Sequence, residues 1–218
     1  MRVTLATVGG VRAGARGERS ALDRAGDTVP RVPNVTAPRF LVVSATEGEA
    51  AYVPDGFEVV VTGIGKVAAA VAVTEALARY RPDERPSVVN IGTAGALHEH
   101  HAGLFVPSAV LNHDISAEVL RSLGHPVTDR IALPDGDDSV LATGDVFISD
   151  AVVRDALATR ADLVDMEGFA VAASCARMGV GCRIVKHVSD RADESAMDWP
   201  AQVDASARIL ATWLTENL

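Results

Sequence analysis

The chain of 218 residues has little of several features that mark particular classes of protein. Its two cysteines, Cys175 and Cys182, are too few for a disulfide framework and are not spaced as CxxC. We expect both to be small buried side chains in a reducing cytoplasm. No run of 18 or more apolar residues occurs, so no segment is expected to span a membrane and no membrane partner is expected.

Basic residues are also scarce. Twenty Lys and Arg stand against 29 Asp and Glu, a net charge of −9, which argues against binding nucleic acid through a basic face. Hydrophobic residues make up 48% of the chain and charged residues 22%, which is a globular composition. The length suits a single α/β domain.

The charge is distributed unevenly along the chain. Residues 1–39 carry seven arginines against three acidic residues, a net of +4, which leaves −13 for the remainder. This first segment shows no sustained periodicity, no secretory apolar region, and neither the dense basic blocks nor the aromatic residues of a nucleic-acid-binding arm. We therefore expect residues 1–38 to be a flexible or non-functional extension and residues 40–218 to form one folded domain.

From Phe40 onward, short apolar runs alternate with segments of helical periodicity. The pattern predicts strands over 40–45, 58–62, 87–91, 104–111, 139–143 and 182–188, and helices over 66–80, 167–178 and 200–214, with a further possible helix over 117–123. In the first helix Val67, Val71, Thr74, Leu77 and Ala78 lie at helical spacing. In the last helix the apolar stripe is Val203, Ala207, Leu210 and Leu214. Strands alternating with helices predict a three-layer α/β/α sandwich.

Carboxylates and glycine-rich turns follow several of the predicted strands. Glu47 and Glu49 come after the first, Gly63-Ile64-Gly65 after the second, Gly92-Thr93-Ala94-Gly95 after the third, and Ser189-Asp190 after the last. Ligands of open α/β sheets bind beyond the carboxyl ends of the strands, where glycines permit close approach to the backbone. Carboxylates without metal ligands or a phosphate cradle suit proton transfer or hydroxyl binding.

Each of these features has a plainer alternative. Glu47 and Glu49 would also fit a solvated turn, and Asp190 would fit the N-cap of a following turn. The Gly63 to Lys66 stretch matches neither GxxxxGK[ST] nor GxGxxG. The cluster from His98 to His101 resembles metal ligands, but no second cluster completes a site, so we expect a flexible loop and no metal.

Five stretches of the chain together form a recognisable pattern: Val61-Thr-Gly-Ile-Gly-Lys-Val-Ala-Ala-Ala70, Asn90-Ile-Gly-Thr-Ala-Gly-Ala-Leu97, Gly144-Asp-Val-Phe-Ile148, Val164-Asp-Met-Glu-Gly168 and Val188-Ser-Asp-Arg-Ala-Asp193. In order and spacing they resemble the nucleoside phosphorylase/nucleosidase superfamily, and most of all its 5′-methylthioadenosine/S-adenosylhomocysteine nucleosidases. The resemblance covers the chain from about Phe40 to the C-terminus. It implies a central mixed sheet between two helical layers.

The resemblance also implies two catalytic residues. Asp190 would be the general acid that protonates or hydrogen-bonds N7 of the purine, which requires a carboxyl that is protonated near neutral pH. Glu49 would position and deprotonate the attacking water. Cleavage of an N-glycosidic bond develops positive charge on the sugar and negative charge on the base, and these two carboxyl groups address both.

A second set of residues would bind the substrate: Gly65, Thr93, Phe147, Ile148, Met166, Glu167 and Ser189. By resemblance, Glu167 holds the ribose hydroxyls and Met166 packs on the sugar. Phe147 stacks on the base, while Ile148 offers its backbone to the purine edge. Thr93 stands where the family commonly has a small hydroxyl residue near the water and the sugar.

The implied function is hydrolysis of 5′-methylthioadenosine, S-adenosylhomocysteine or a related adenine nucleoside by a cytoplasmic homodimer that needs no cofactor. Hydrolysis is favoured because the first turn supplies Glu49 in place of an arginine-bearing glycine loop, and Arg191 is the one arginine in the strand-end turns. The alternatives are a phosphorolytic enzyme, a hydrolase of another nucleoside such as a futalosine-like metabolite, and a nucleoside-binding module that has lost catalysis.

The chain departs from the family pattern in four places. Asp165 replaces a longer acid, Lys186 stands where an arginine is common, and His187 follows in a place that is usually small. The stretch between His98 and Ser139 is shorter than is typical, although it keeps a His113-Asp114 pair that would equally suit a structural hydrogen bond. Since the shortened stretch usually recognises the substrate tail, the 5′ substituent stays open.

Overall fold

The computed structural model describes residues 40–218, apart from the side chain of Ser195, so the expectation for residues 1–38 lies outside the described residues. The strands of this range are β1 (Phe40–Ser44), β2 (Glu58–Val61), β3 (Ser87–Ala96), β4 (Leu104–Phe105), β5 (Pro107–Asn112), β6 (Arg130–Ala132), β7 (Asp137–Thr143), β8 (Leu163–Asp165) and β9 (Cys182–Asp190). The helices are α1 (Lys66–Ala78), α2 (Ala117–Ser122), α3 (Ala151–Ala158), α4 (Gly168–Met178), α5 (Trp199–Asn217) and a short 3₁₀ turn, Glu194–Asp198.

The strands form one mixed sheet in the order β2-β1-β3-β8-β7-β5-β6, with β9 beside β3 and β4 beside β9. The central strand β3 pairs in parallel with both β1 and β9. Its last residues, Gly95 and Ala96, pair in antiparallel with β8. The mixed sheet that the resemblance implied is therefore confirmed. Because β3 continues to Ala96, the Gly92 to Gly95 segment lies within the strand rather than after it.

Successive residues of β1 show how the layers form, because side chains of a strand alternate between faces. Leu41 and Val43 pack with α1 and α4 in one apolar cluster. Val42 packs on the other face, with Leu210 and Leu214 of α5. Helices thus cover both faces of the sheet, which confirms the predicted three-layer sandwich.

The apolar stripe at helical spacing on α1 lies mainly on the exposed side of the helix. Val67 is 75% exposed and Val71 is 60% exposed. The buried residues of the helix are instead Ala69, Val73, Ala76 and Leu77. Since α1 is apolar nearly all round, its periodicity does not identify the core face.

For the last helix, α5, the predicted apolar stripe agrees better with the structure. Ala207, Leu210 and Leu214 are buried along α5 and Val203 is partly buried, so the predicted stripe does face the sheet. The helix begins at Trp199, one residue before Pro200. Within residues 40–218, no helix combines the length and hydropathy needed to cross a bilayer.

Candidate active site

A cavity opens where β1, β3, β8 and β9 end. It is lined by Ala45, Thr46, Glu49, Ile64, Thr93, Ala94, Gly95, Val146, Phe147, Ile148, Val164, Asp165, Met166, Glu167, Ser189, Asp190 and Trp199. Eight of the nine predicted site residues are in this lining. The ninth, Gly65, does not line the cavity but contacts a residue that does. Glu47 is exposed and lies outside the lining.

Glu49 is only 4% exposed and is held by donors on both carboxylate oxygens. Its Oε1 accepts hydrogen bonds from the backbone N–H and the hydroxyl of Thr93, each at 2.8 Å. Its Oε2 accepts from the backbone N–H of Thr46 at 3.2 Å and from the Thr46 hydroxyl at 3.0 Å. The solvated-turn alternative is therefore wrong for Glu49, whereas it describes the exposed Glu47.

Two glycines of β3 make room for the carboxylates. A Cβ at Gly92 would lie 3.0 Å from Oε1 of Glu49, and a Cβ at Gly95 would lie 3.0 Å from Oδ1 of Asp190. Any side chain at either position would push a carboxylate away from the strand. The glycine-rich segment thus lets both acids approach the central strand.

Asp190 lies at the end of β9 and takes part in a local turn. Its Oδ1 accepts from the backbone N–H of Ala192 at 2.8 Å, and its Oδ2 accepts from the Ser189 hydroxyl at 2.7 Å. Ala192 has a φ of 51°, a left-handed conformation that costs energy for a residue with a Cβ. The Asp190 carboxylate therefore caps the local turn, as the alternative expected, and also lines the cavity.

Glu167 precedes α4 and is 6% exposed. Its Oε1 accepts from the backbone N–H of Gly65 at 2.8 Å, and the φ of 99° at Gly65 is one that glycine adopts without strain. Burial raises the pKa of Glu167 to about 7, with a further contribution from Asp165, while Lys186 acts in the opposite direction. Glu167 is therefore a carboxyl group whose charge changes close to neutral pH.

Two of the departures from the family pattern, Asp165 and Lys186, form a buried ion pair. Lys186 Nζ lies 2.9 Å from Oδ2 of Asp165, and both side chains are almost completely buried. Asp165 also accepts hydrogen bonds from the Gly168 backbone N–H at 2.8 Å and from the Thr143 hydroxyl at 2.5 Å. Burial alone would lower the pKa of Lys186, but the nearby carboxylates, chiefly that of Asp165, raise it above its usual value.

The histidines lie outside the cavity lining. His98 and His101 each approach Oδ1 of Asp162, at 3.8 and 3.9 Å. Within residues 40–218, no group of three or more His, Cys, Asp or Glu is placed to hold a metal ion.

His113 packs against Gly144, where a Cβ would lie 2.2 Å from its Nε2, and burial lowers its pKa. Its neighbour Asp114 pairs with Lys66, so the His113-Asp114 pair ties β5 to the start of α1.

Trp199 is one of the lining residues that the sequence interpretation did not assign to the site; Thr46 and Asp165 are others. Trp199 is half-buried at the start of α5, and its indole Nε1 donates a hydrogen bond to Oγ1 of Thr93 at 2.7 Å. The two residues are separated by 106 positions in the sequence, so no local motif connects them. Only the folded chain brings them together.

Comparison with known proteins places this fold and cavity in a family. The family model of the phosphorylase superfamily matches residues 55–138 and 137–215, and the chain belongs to this superfamily. It is therefore a member of an enzyme superfamily, and its matched relatives are named as nucleosidases.

Among those relatives is the 5′-methylthioadenosine/S-adenosylhomocysteine nucleosidase of Shewanella putrefaciens, 28% identical over 176 residues, a match that covers 68% of this chain and 75% of the relative. The enzyme of the same name from Shewanella piezotolerans is 29% identical over 172 residues, covering 66% and 74%.

Solved structures that share the fold include two from Helicobacter pylori. The 5′-methylthioadenosine/S-adenosylhomocysteine nucleosidase of Helicobacter pylori has a TM-score of 0.70 and 22% identity, covering 83% of this chain and 97% of that one. The futalosine hydrolase of Helicobacter pylori also has a TM-score of 0.70 and 22% identity, covering 82% and 96%.

Proposed function

We propose that this protein is a purine nucleosidase that hydrolyses the N-glycosidic bond of 5′-methylthioadenosine, S-adenosylhomocysteine or a related adenine nucleoside. The observation that carries the proposal is the convergence of Glu49, Glu167 and Asp190 on one cavity. The names of the relatives at 28% identity support the same reaction.

The spacing of the two acids along β3 fits the reaction. Glu49 is hydrogen-bonded to Thr93, and Asp190 packs against Gly95, two residues further along the strand. At the rise of a β-strand, these two anchoring points are about 7 Å apart. The two acids are therefore held at separate points along the cavity, which suits a base that acts on the water and an acid that acts on the purine.

In the proposed reaction, the purine lies near Phe147 and Ile148, and Asp190 donates a proton or hydrogen bond to N7. Glu49 holds the water and accepts its proton as the bond from C1′ to the base breaks. Glu167 accepts hydrogen bonds from the ribose hydroxyls, and Met166 packs on the sugar. Each correctly placed acid or base contributes about 10²- to 10⁴-fold in rate.

The charge of the cavity favours water over phosphate as the attacking group. Glu49, Asp165, Glu167 and Asp190 all line it. Among the described residues that line the cavity there is no arginine or lysine, so a phosphate dianion would meet the Glu49 carboxylate without a cation to neutralise it. Water carries no such penalty.

The test is release of free base from a panel of nucleosides, followed by chromatography with and without phosphate. The panel contains 5′-methylthioadenosine, S-adenosylhomocysteine, adenosine and futalosine. We expect adenine release from at least one adenine nucleoside without phosphate. Dependence on phosphate would identify a phosphorylase, preference for futalosine would change the substrate, and binding without turnover would indicate a degenerate module.

Glu49→Gln and Glu47→Gln form a matched pair for this assay, because only Glu49 lies in the cavity. The first variant should lose about 10²- to 10⁴-fold in kcat, and the second should match the wild-type protein. Equal activities of the two variants would remove Glu49 from the mechanism.

An exposed apolar face beside the cavity supports a homodimer. Val67 and Val71 are exposed along α1, and Ile64, Val146 and Phe147 are exposed at the cavity mouth. The two parts are joined where the Lys66 backbone N–H donates to Asp145 at 2.8 Å. Clustered exposed apolar side chains mark interaction surfaces, and a second copy placed here would cover the mouth of the cavity.

Light scattering tests the dimer. We expect twice the monomer mass for the wild-type protein and a monomer for Val67→Asp combined with Val71→Asp. Ile209→Asp, which changes an exposed apolar residue of α5 on the other face of the sheet, should leave the mass unchanged. A monomeric wild-type protein would contradict the proposal.

We also propose that residues 40–218 carry the activity and that the protein is cytoplasmic. The family match lies between residues 55 and 215, and both cysteines are free thiols. Deletion of residues 1–38 should leave base release unchanged, and cell fractionation should recover the protein with cytoplasmic markers. Loss of activity on deletion would assign a function to the extension.

A further inference from the structure

A hydrogen-bonded chain runs from helix α5 to the carboxylate of Glu49. The indole Nε1 of Trp199 donates to Oγ1 of Thr93 at 2.7 Å. Oγ1 of Thr93 in turn lies 2.8 Å from Oε1 of Glu49. Both Trp199 and Thr93 line the cavity, so this chain borders the space that a substrate would occupy.

The direction of the chain follows from the chemistry of its groups. An indole N–H can only donate a hydrogen bond, so the Thr93 hydroxyl must accept from Trp199. A hydroxyl has one proton and two lone pairs, and the bond from Trp199 occupies one lone pair. The proton of the Thr93 hydroxyl is then directed to Glu49, and one acceptor position stays available for a water or a sugar hydroxyl.

Thr93 differs from Thr46, and from Ser44 at the end of β1, whose hydroxyl reaches Oε2 of Glu49 only at 3.5 Å. Thr46 lies three positions before Glu49 in the same turn, so its hydrogen bonds hold the carboxylate only relative to that turn. Thr93 belongs to the central strand β3 and therefore fixes the carboxylate relative to the sheet. Its backbone N–H is fixed in direction, but its hydroxyl can rotate unless a second group holds it.

We propose that Trp199 is a positioning residue for Glu49: its N–H holds the Thr93 hydroxyl in the orientation that donates to the carboxylate. The inference rests on the proposed function, in which Glu49 holds the attacking water. Without the indole N–H, the Thr93 hydroxyl is free to turn toward the water or the sugar, and Glu49 then spends less time in the productive orientation.

The first test is Trp199→Phe, which keeps an aromatic ring and removes the N–H. We expect kcat to fall about three- to tenfold, the effect of one net hydrogen bond, with KM within about twofold of the wild-type value. Trp213→Phe is the matched control, because Trp213 is on the same helix and outside the cavity lining. A raised KM with unchanged kcat would show that the ring contacts substrate instead, and would overturn the proposal.

A double-mutant cycle with Thr93→Val separates the hydrogen-bonded chain from packing. If Trp199 acts through the Thr93 hydroxyl, Trp199→Phe has no further effect on kcat in the Thr93→Val background. It keeps its effect in the Thr93→Ser background, where the hydroxyl is present. An equal loss in the wild-type and Thr93→Val backgrounds would contradict the positioning role.

A spectroscopic measurement tests the bond itself without activity. In the Trp213→Phe protein, the ultraviolet resonance Raman bands of the remaining indole report whether the Trp199 N–H is hydrogen-bonded. We expect a shift to the unbonded position on adding Thr93→Val, and no shift would overturn the proposal. If the protein cleaves nucleosides but the Trp199 N–H is not hydrogen-bonded, only the positioning role is refuted. If the Trp199 N–H is hydrogen-bonded but the protein cleaves no nucleoside, the proposed function is refuted together with the role that depends on it.

Discussion

Replacement of Lys186 by methionine removes a cation from the most heavily buried charged cluster beside the cavity. Among residues 40–218, the buried charged side chains are Glu49, Asp165, Glu167 and Lys186, so the lysine balances three carboxyl groups. Methionine has a similar length and no charge. The variant therefore leaves Asp165 buried without the partner that lies 2.9 Å away in the wild-type protein.

The size of the effect follows from the burial of the pair. Breaking a buried ion pair by removing one partner costs about 3–5 kcal/mol, because the remaining charge stays desolvated. For a domain of this size, each kcal/mol lowers the melting temperature by about 2–4 °C, so we expect Tm to fall by about 6–20 °C. That cost is a large part of the roughly 5–15 kcal/mol that stabilises a typical domain.

Thermal melts followed by circular dichroism, with urea titrations at one temperature, measure this loss. Arg79→Met is the matched control, because Arg79 pairs with Glu75 at 3.9 Å on the exposed side of α1 and such pairs contribute less than about 1 kcal/mol. Adding Asp165→Asn to Lys186→Met should restore part of the lost stability. If Lys186→Met melts like Arg79→Met, the buried pair does not have the energetic role assigned to it.

Three further predictions concern single residues. Asp190→Asn should lower base release by about 10²- to 10⁴-fold with an unchanged melting temperature. Asp55→Asn, which changes an exposed carboxylate, should have no effect. Full activity of Asp190→Asn in the chromatographic assay would reassign the acid. Glu167 ionises near pH 4.5 when unfolded and near 7 when folded, so the folded protein binds more protons in this window. Its contribution to stability should therefore fall by about 3 kcal/mol as pH rises from about 4.5 to 7, and urea titrations of Glu167→Gln across this range should lack that fall. Gly144→Ala should lower the free energy of unfolding in urea by about 1–3 kcal/mol, because the added Cβ meets the ring of His113. Adding His113→Ala should recover part of this loss. An unchanged urea midpoint for Gly144→Ala alone would contradict the packing of His113 against Gly144.

The parts of the fold that could be predicted are those where the sequence pattern is unambiguous. The buried strand at Phe40–Ser44 is a short apolar run with clear ends, and α5 has one apolar stripe. The elements β6, β8 and α3 were not predicted, because strands of three residues and a helix of eight are shorter than the windows over which strand or helix periodicity can be read.

The candidate site also has parts that could be predicted from the sequence and parts that could not. Glu49 and Asp190 follow predicted strands, so the rule that ligands bind at strand ends already placed them together. The pairing of Lys186 with Asp165 and of Trp199 with Thr93 joins segments that are distant in the sequence. Such contacts depend on the register of β3 and β9 and on where α5 begins, which local patterns do not specify.

The central claim is that the cavity hydrolyses a purine nucleoside with water. The most direct measurement is the initial rate of adenine release from 5′-methylthioadenosine in phosphate-free buffer, repeated with millimolar phosphate while ³¹P NMR follows any pentose 1-phosphate. We predict the same rate in both buffers and no phosphorylated sugar. Adenine release only in the presence of phosphate, with pentose 1-phosphate as the second product, would contradict the hydrolytic mechanism.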